Sequence, residues 1–195
     1  RDDPIMRDPA PVEKSDYLVV ESTYGDRLHA REDPAAKLAE IFNRTFARGG
    51  VVVIPAFAVD RTQTLMHYIA QLKAAGTIPR SVPVYLNSPM AANVTRIFSD
   101  HRTEHRLSGE QCAAMCGVAR IVNSVEESER LNAMTGPMVI ISASGMATGG
   151  RVLHHLRAMA PDARHHIVFP GFQVAGTRGA RLLAGEREVK IFGEM

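Results

Sequence analysis

Short apolar runs alternate with amphipathic stretches along nearly the whole chain. The apolar runs predict strands at residues 17–20, 51–54, 82–86, 120–122, 139–141, 164–169 and 188–192. The runs at 51–54 (VVVI) and 139–141 (VII) do not alternate, as expected of parallel strands covered on both faces. Between them the spacing predicts helices. In the 33–47 stretch Asp33 is the N-cap, Pro34 takes the first helical position, and Leu38, Ile41, Phe42 and Phe46 share one face. Leu65, Met66, Ile69 and Leu72 form a second stripe. Ser88-Pro89 and Ser124 start two further helices, and Val152, Leu153 and Leu156 mark another. Residues 99–118 lack a clear period and read as an insertion or an irregular helical region.

Strands alternating with helices predict an α/β fold, with a mainly parallel sheet and helices on both faces. Ligands of such sheets bind beyond the C-terminal ends of the strands. Glu21, the AFAVDR segment, Asn87-Ser88 and SASGMATGG each follow a predicted strand, which suggests one composite surface. The last of these carries Ser142, Ser144 and Gly145 ahead of a helix. It reads equally as a seat for an anion or as a tight strand-to-helix connection, and it matches neither a Walker A loop nor GxGxxG. Arg61 offers a fork-shaped contact to a phosphate, or else an ion pair with Asp60 or Glu21. Asp60 with Gln63 has the spacing of a capping box. The Glu21 carboxylate, expected beside Tyr24 and His29, either orients a metal-bound ligand or faces solvent.

Composition narrows this little. With 45% hydrophobic and 23% charged residues the chain is an ordinary globular one, and a net charge of +2 does not by itself argue for nucleic acid. Two cysteines exclude a disulfide scaffold and suit a reducing cytoplasm. No apolar run approaches the ~20 residues of a membrane span. The first residues, RDDPIMRDPAP, suggest a piece of a longer protein. His101, His105, Cys112 and Cys116 are potential zinc ligands within one segment, or simply helical neighbours. His154 and His155 point about 100° apart on a helix, and His165 and His166 point to opposite faces of a strand, so neither pair shares a metal. HxHxDH, HExxH, GxSxG and CxxC are all absent.

Taken in order, ESTYGDRLH, VVVIPAFAVDRTQTLMHYI, VPVYLNSPMA, EESERLN with GPMVIISASGMATGGRVLHHL, GTRGARLL and VKIFGE resemble the β-CASP RNA nucleases. These belong to the metallo-β-lactamase-fold superfamily and are similar to the cleavage and polyadenylation specificity factor endonuclease. The resemblance implies a zinc-dependent phosphodiesterase, with two zinc ions between a metallo-β-lactamase domain and an inserted β-CASP domain that caps the cleft and contacts single-stranded RNA. Paired metals suit that reaction because they activate a water and stabilise the attacking and leaving oxygens together. By the same resemblance Glu21 matches an accessory acidic residue near the metals, and Arg61, Ser142, Ser144 and Gly145 match cap positions facing RNA phosphates. The expectation is a single Rossmann-like β-CASP domain over 1–195, with edges at about 1–20 and 186–195 leading to the missing metallo-β-lactamase domain. The parent is expected to be a cytoplasmic hydrolase acting as an endonuclease, a 5′ exonuclease or both, with a homodimer left open. The fragment alone is expected to be inactive and to hold no zinc. The alternatives are a non-catalytic RNA-binding or oligomerisation module, and an α/β enzyme acting on a small phosphorylated molecule.

Overall fold

A computed structural model describes residues 3–28 and 31–195. Helix α1 (Pro34–Phe46) starts where Asp33 accepts the Ala35 amide at 3.0 Å, and leads into strand β1 (Val51–Pro55). Helix α2 (Arg61–Ala74), strand β2 (Val84–Asn87) and helix α3 (Pro89–Asp100, capped by Ser88) follow. Helix α4 (Gly109–Gly117) precedes a two-residue strand β3 (Arg120–Ile121), and helix α5 (Val125–Ala133) precedes β4 (Met138–Ser142). Helix α6 (Val152–Met159), strand β5 (His166–Ile167) and helix α7 (Arg178–Leu183) complete the order.

The five strands form one sheet in the order β3-β2-β4-β1-β5, every pairing parallel. Alternate strand residues serve two cores. Val52, Ile54, Val84, Leu86, Val139 and Ile141 pack with α1, α2 and α4 on one face. Val51, Val53, Tyr85, Met138 and Ile140 pack with α5 and α6 on the other. Burying each such side chain stabilises the fold by about 1.5–3 kcal/mol. This double coverage is why β1 and β4 carry no alternation in sequence.

The order also locates a crevice. From β1 the chain crosses towards β2 over the face of the first core, and from β4 it crosses towards β5 over the opposite face. The adjacent strands β1 and β4 therefore form a switch point, where the turns that follow them diverge and leave an opening at the C-terminal edge.

Several expected elements differ. Residues 17–20 form no strand: Tyr17, Leu18, Val19 and Val20 are 94%, 74%, 96% and 69% exposed, and no described strand pairs with them. Residues 188–192 form no strand either; a tight reversal joins Ile191 to Glu194 instead. The strand expected over 164–169 shortens to His166–Ile167, which pairs with Val52 and Val53 of β1. The irregular 99–118 region contains α4, with a complete capping box between Ser108 and Gln111. Among the described residues no helix is long and apolar enough to cross a membrane.

Candidate nucleic-acid interface

The ladder places Pro55, Asn87 and Ser142 level with one another at the ends of β1, β2 and β4, so the next turns share one edge. After β1 the Ala56 amide donates to the Ser142 carbonyl at 3.0 Å, which ties the two turns together at their base. Asp60 then has φ 65° and ψ −65°, and the Arg61 amide donates back to the Val59 carbonyl at 2.8 Å. This is a γ-turn with positive φ, rare for any residue but glycine and costing about 1–3 kcal/mol. The Phe57 carbonyl holds it by accepting the Thr62 amide and hydroxyl, at 3.3 and 2.7 Å. The expected Asp60–Gln63 capping box is absent for the same reason. Asp60 makes no side-chain cap bond, and the Gln63 amide nitrogen donates to the Ala58 carbonyl and the Thr95 hydroxyl. The reversal starts α2 abruptly, with half-buried Arg61 as its first residue.

After β4 the serines separate. Ser142 is buried and its hydroxyl donates to the Asn87 carbonyl of β2 at 3.0 Å, so this oxygen is committed to the sheet. Ser144 is nearer the surface, its hydroxyl 3.1 Å from that of Thr148. Gly145 packs under Phe57: a Cβ added there would lie 2.9 Å from the ring and 3.0 Å from the Phe57 amide nitrogen, closer than side chains pack. Gly150, at φ +76°, turns the chain into α6, and its added Cβ would lie 2.8 Å from the Ala143 carbonyl.

The turn after β5 closes the edge. Gln173 donates to the Gly145 carbonyl at 3.0 Å, and the Tyr24 hydroxyl accepts the Phe172 amide at 3.0 Å. A Cβ built on Gly171 would stand 4.0 Å from both the Arg61 Nε and the Tyr24 hydroxyl, so these three residues meet. The Arg27 guanidinium lies 4.7 Å above the Phe172 ring while pairing with Asp26, which raises the arginine's pKa and lowers the carboxyl's. Arg61, Ser144 and Gly145 are thus brought to one edge, with Ser142 beneath it. Glu21 is exposed on the adjoining segment, where its Oε2 accepts the Thr23 amide at 2.9 Å; His29 lies outside the described residues.

The profile of the Beta-Casp domain matches residues 62–182, more than half of the chain. The chain belongs to the Beta-Casp domain family. It is 37% identical over 202 residues to ribonuclease TTHA0252 of Thermus thermophilus, covering all of this chain and 46% of that protein. It is 33% identical over 181 residues to the transcription termination factor FttA of a Lokiarchaeum species, covering 88% of this chain and 28% of that factor. An RNase J-like protein of Methanocaldococcus jannaschii is 29% identical over 196 residues, with 93% of this chain and 43% of the relative aligned. The chain therefore spans less than half the length of these relatives.

Beneath the edge this Beta-Casp domain holds a polar network that sequence reasoning missed. Asn87 donates to the Ser128 hydroxyl at 2.7 Å and, through the same nitrogen, contacts His155 Nε2 at 2.7 Å. His155 Nδ1 is 2.6 Å from the Asn132 oxygen. Arg151 donates to the Asn87 oxygen and to the Val122 and Asn123 carbonyls, fixing the end of the glycine-rich turn. Burial first, then His154 and Arg151, push the His155 pKa down to about 4, so the imidazole is neutral. His154, which points about 100° away from His155 on the helix, is exposed, its ring tilted against Phe192 with centres 4.5 Å apart. The sequence signal was Asn87, a polar residue ending an apolar strand; nothing local linked it to Arg151 or His155, 64 and 68 residues away.

The described residues hold no group of three or more His, Cys, Asp or Glu able to bind a metal ion. The four candidate zinc ligands of residues 101–116 form no such group: His105 stacks on Phe98 with ring centres 4.2 Å apart, and Cys112 is buried in the first core. Burial raises the Cys116 thiol to about 11, with Cys112 adding to the shift, so it is no ready thiolate ligand. Among the described residues no set of side chains fits a zinc pair. A cavity of about 440 Å³ beside the edge, between residues 3–9 and α3, has largely apolar walls and does not include Arg61.

Proposed function

We propose that residues 1–195 form the cap and RNA-positioning domain of a zinc-dependent, RNA-processing phosphodiesterase. The observation that carries this reading is the convergence of Arg61, the Ser144–Thr148 hydroxyl pair and the Gly145 turn at the β1/β4 switch point. A guanidinium fork on one turn and small hydroxyls on a glycine-rich turn of the same edge suit the phosphates of a single strand. Arg61 and Ser144 contact phosphate, Gly145 lets the strand approach, and Ser142 sets the direction of the turn from below. Glu21 acts as an accessory carboxylate towards the metal-bearing partner domain.

The exposed run at 17–20 supports a metallo-β-lactamase domain elsewhere in the same protein. Four consecutive exposed apolar residues are a segment that a sheet of such a domain would cover. Relatives more than twice as long as this chain support it too. The full-length protein, a cytoplasmic hydrolase in this reading, should cleave single-stranded RNA and lose that activity with a chelator. The 195-residue chain alone should not cleave. Chelator-sensitive cleavage by the short chain would overturn the cap assignment, and failure of the full-length protein to cleave would overturn the phosphodiesterase.

A further inference from the structure

We propose that Phe57 is a base-stacking platform, a subsite for one unpaired base of the RNA strand whose phosphates Arg61 receives. This inference rests on the RNA reading above and adds to it a residue that the phosphate contacts do not require.

Four aromatic rings stand at this edge among the described residues, and three are already occupied. The Tyr24 hydroxyl accepts the Phe172 amide, and its ring meets Phe172 edge-on with centres 6.1 Å apart. Phe172 carries the Arg27 guanidinium over its face. Phe169 packs against the second core. Phe57 is the one left open, 47% exposed on the turn between β1 and α2.

An exposed phenylalanine alone would be unremarkable, but this one is held rigidly. Its backbone is clamped by the Ala56–Ser142 bond on one side and by the Thr62 amide and hydroxyl on its carbonyl. One edge of its ring rests on Gly145, where no Cβ fits. The ring is therefore fixed at the mouth of the crevice between the Arg61 turn and the Ser144 turn, at little entropic cost on binding. Single-strand binders combine a cationic track with aromatic faces, and stacking is tolerant of sequence because every base has a π-face. The ligand class is the base of single-stranded nucleic acid, stacked independently of its hydrogen-bonding edge.

The test is a titration of single-stranded RNA into the full-length protein at several salt concentrations, with a chelator present to stop hydrolysis. Phe57→Ala and Phe57→Leu should each weaken binding roughly 5- to 100-fold without changing the salt slope, because no charge is lost. An RNA made abasic along its length should bind the unvaried protein and Phe57→Ala alike. Phe57→Trp places an indole at the stacking position, and its emission, read as the difference from the unvaried protein, should be quenched as RNA binds, with affinity kept; residues 1–195 themselves contain no tryptophan. A purely structural role for the ring would give no quenching by RNA. If RNA binds with a salt dependence that Arg61→Ala reduces, yet Phe57→Ala and Phe57→Trp show neither loss nor quenching, the platform is wrong and the RNA reading stands. If no RNA binds the unvaried protein, both fall.

Discussion

Residues 17–20 and residues 51–54 are apolar runs of the same length, and they end in opposite environments. Val51–Ile54 is at most 1% exposed, with helices on both faces and parallel partners on both edges. Tyr17–Val20 is 69–96% exposed and has no ladder among the described residues. An apolar run states that a segment needs cover, but not which chain or domain supplies it. The run at 51–54 finds its cover within this chain, and the run at 17–20 finds none among the described residues.

The largest effect separating the two should come from the covered sheet. Ile140→Ala, in β4 between β1 and β2, should cost about 2–5 kcal/mol in denaturant unfolding. A loss below 1 kcal/mol would mean that the sheet is not packed as described. The buried network under it should respond to acid. The His155 pKa falls from 6.5 in the unfolded chain to about 4 in the fold, so the unfolded state takes up the proton first. Its contribution, about 3 kcal/mol, is full above pH 6.5 and is lost as pH falls through 6.5 towards 4. His155→Asn should flatten that part of the stability–pH curve, and an unchanged slope would assign the acid sensitivity elsewhere. Gly145→Ala should cost about 1–3 kcal/mol through its collision with Phe57, and should also disturb the β1/β4 edge. At the small end, Val19→Ser should change the stability of this chain by about 0.5 kcal/mol or less. A large loss would show that 17–20 is already covered within it.

Much of the fold was legible, for reasons that individual residues make plain. Asp33-Pro34, Ser88-Pro89 and Ser124 each start a helix as read, because each side-chain oxygen reaches an unpaired amide of the first turn. The same spacing failed at Asp60–Gln63, where a positive φ turns the carboxylate away, and a backbone angle leaves no mark in residue spacing. Helix α4 was legible only as part of an irregular stretch, although Ser108 and Gln111 form a complete capping box. Only Cys112 and Met115 of its nine residues are buried, too few to set a visible period. At the candidate site the sequence marked turns that the fold brings to one edge, but not how the residues within them are bonded. Ser142 and Ser144 look alike in SASG, yet one hydroxyl is spent on Asn87 and the other lies near the surface. Tyr24 and Gln173 join the edge only through contacts 148 and 28 residues away.

The central claim, that the β1/β4 edge positions an RNA strand, is tested most directly by the salt dependence of single-stranded RNA binding to the full-length protein with and without Arg61→Ala. The account predicts affinity that falls steeply with added salt, and a variant that binds several-fold more weakly with a slope smaller by about 0.7, the loss of one phosphate contact. Equal affinity and equal slope for the two proteins would contradict it.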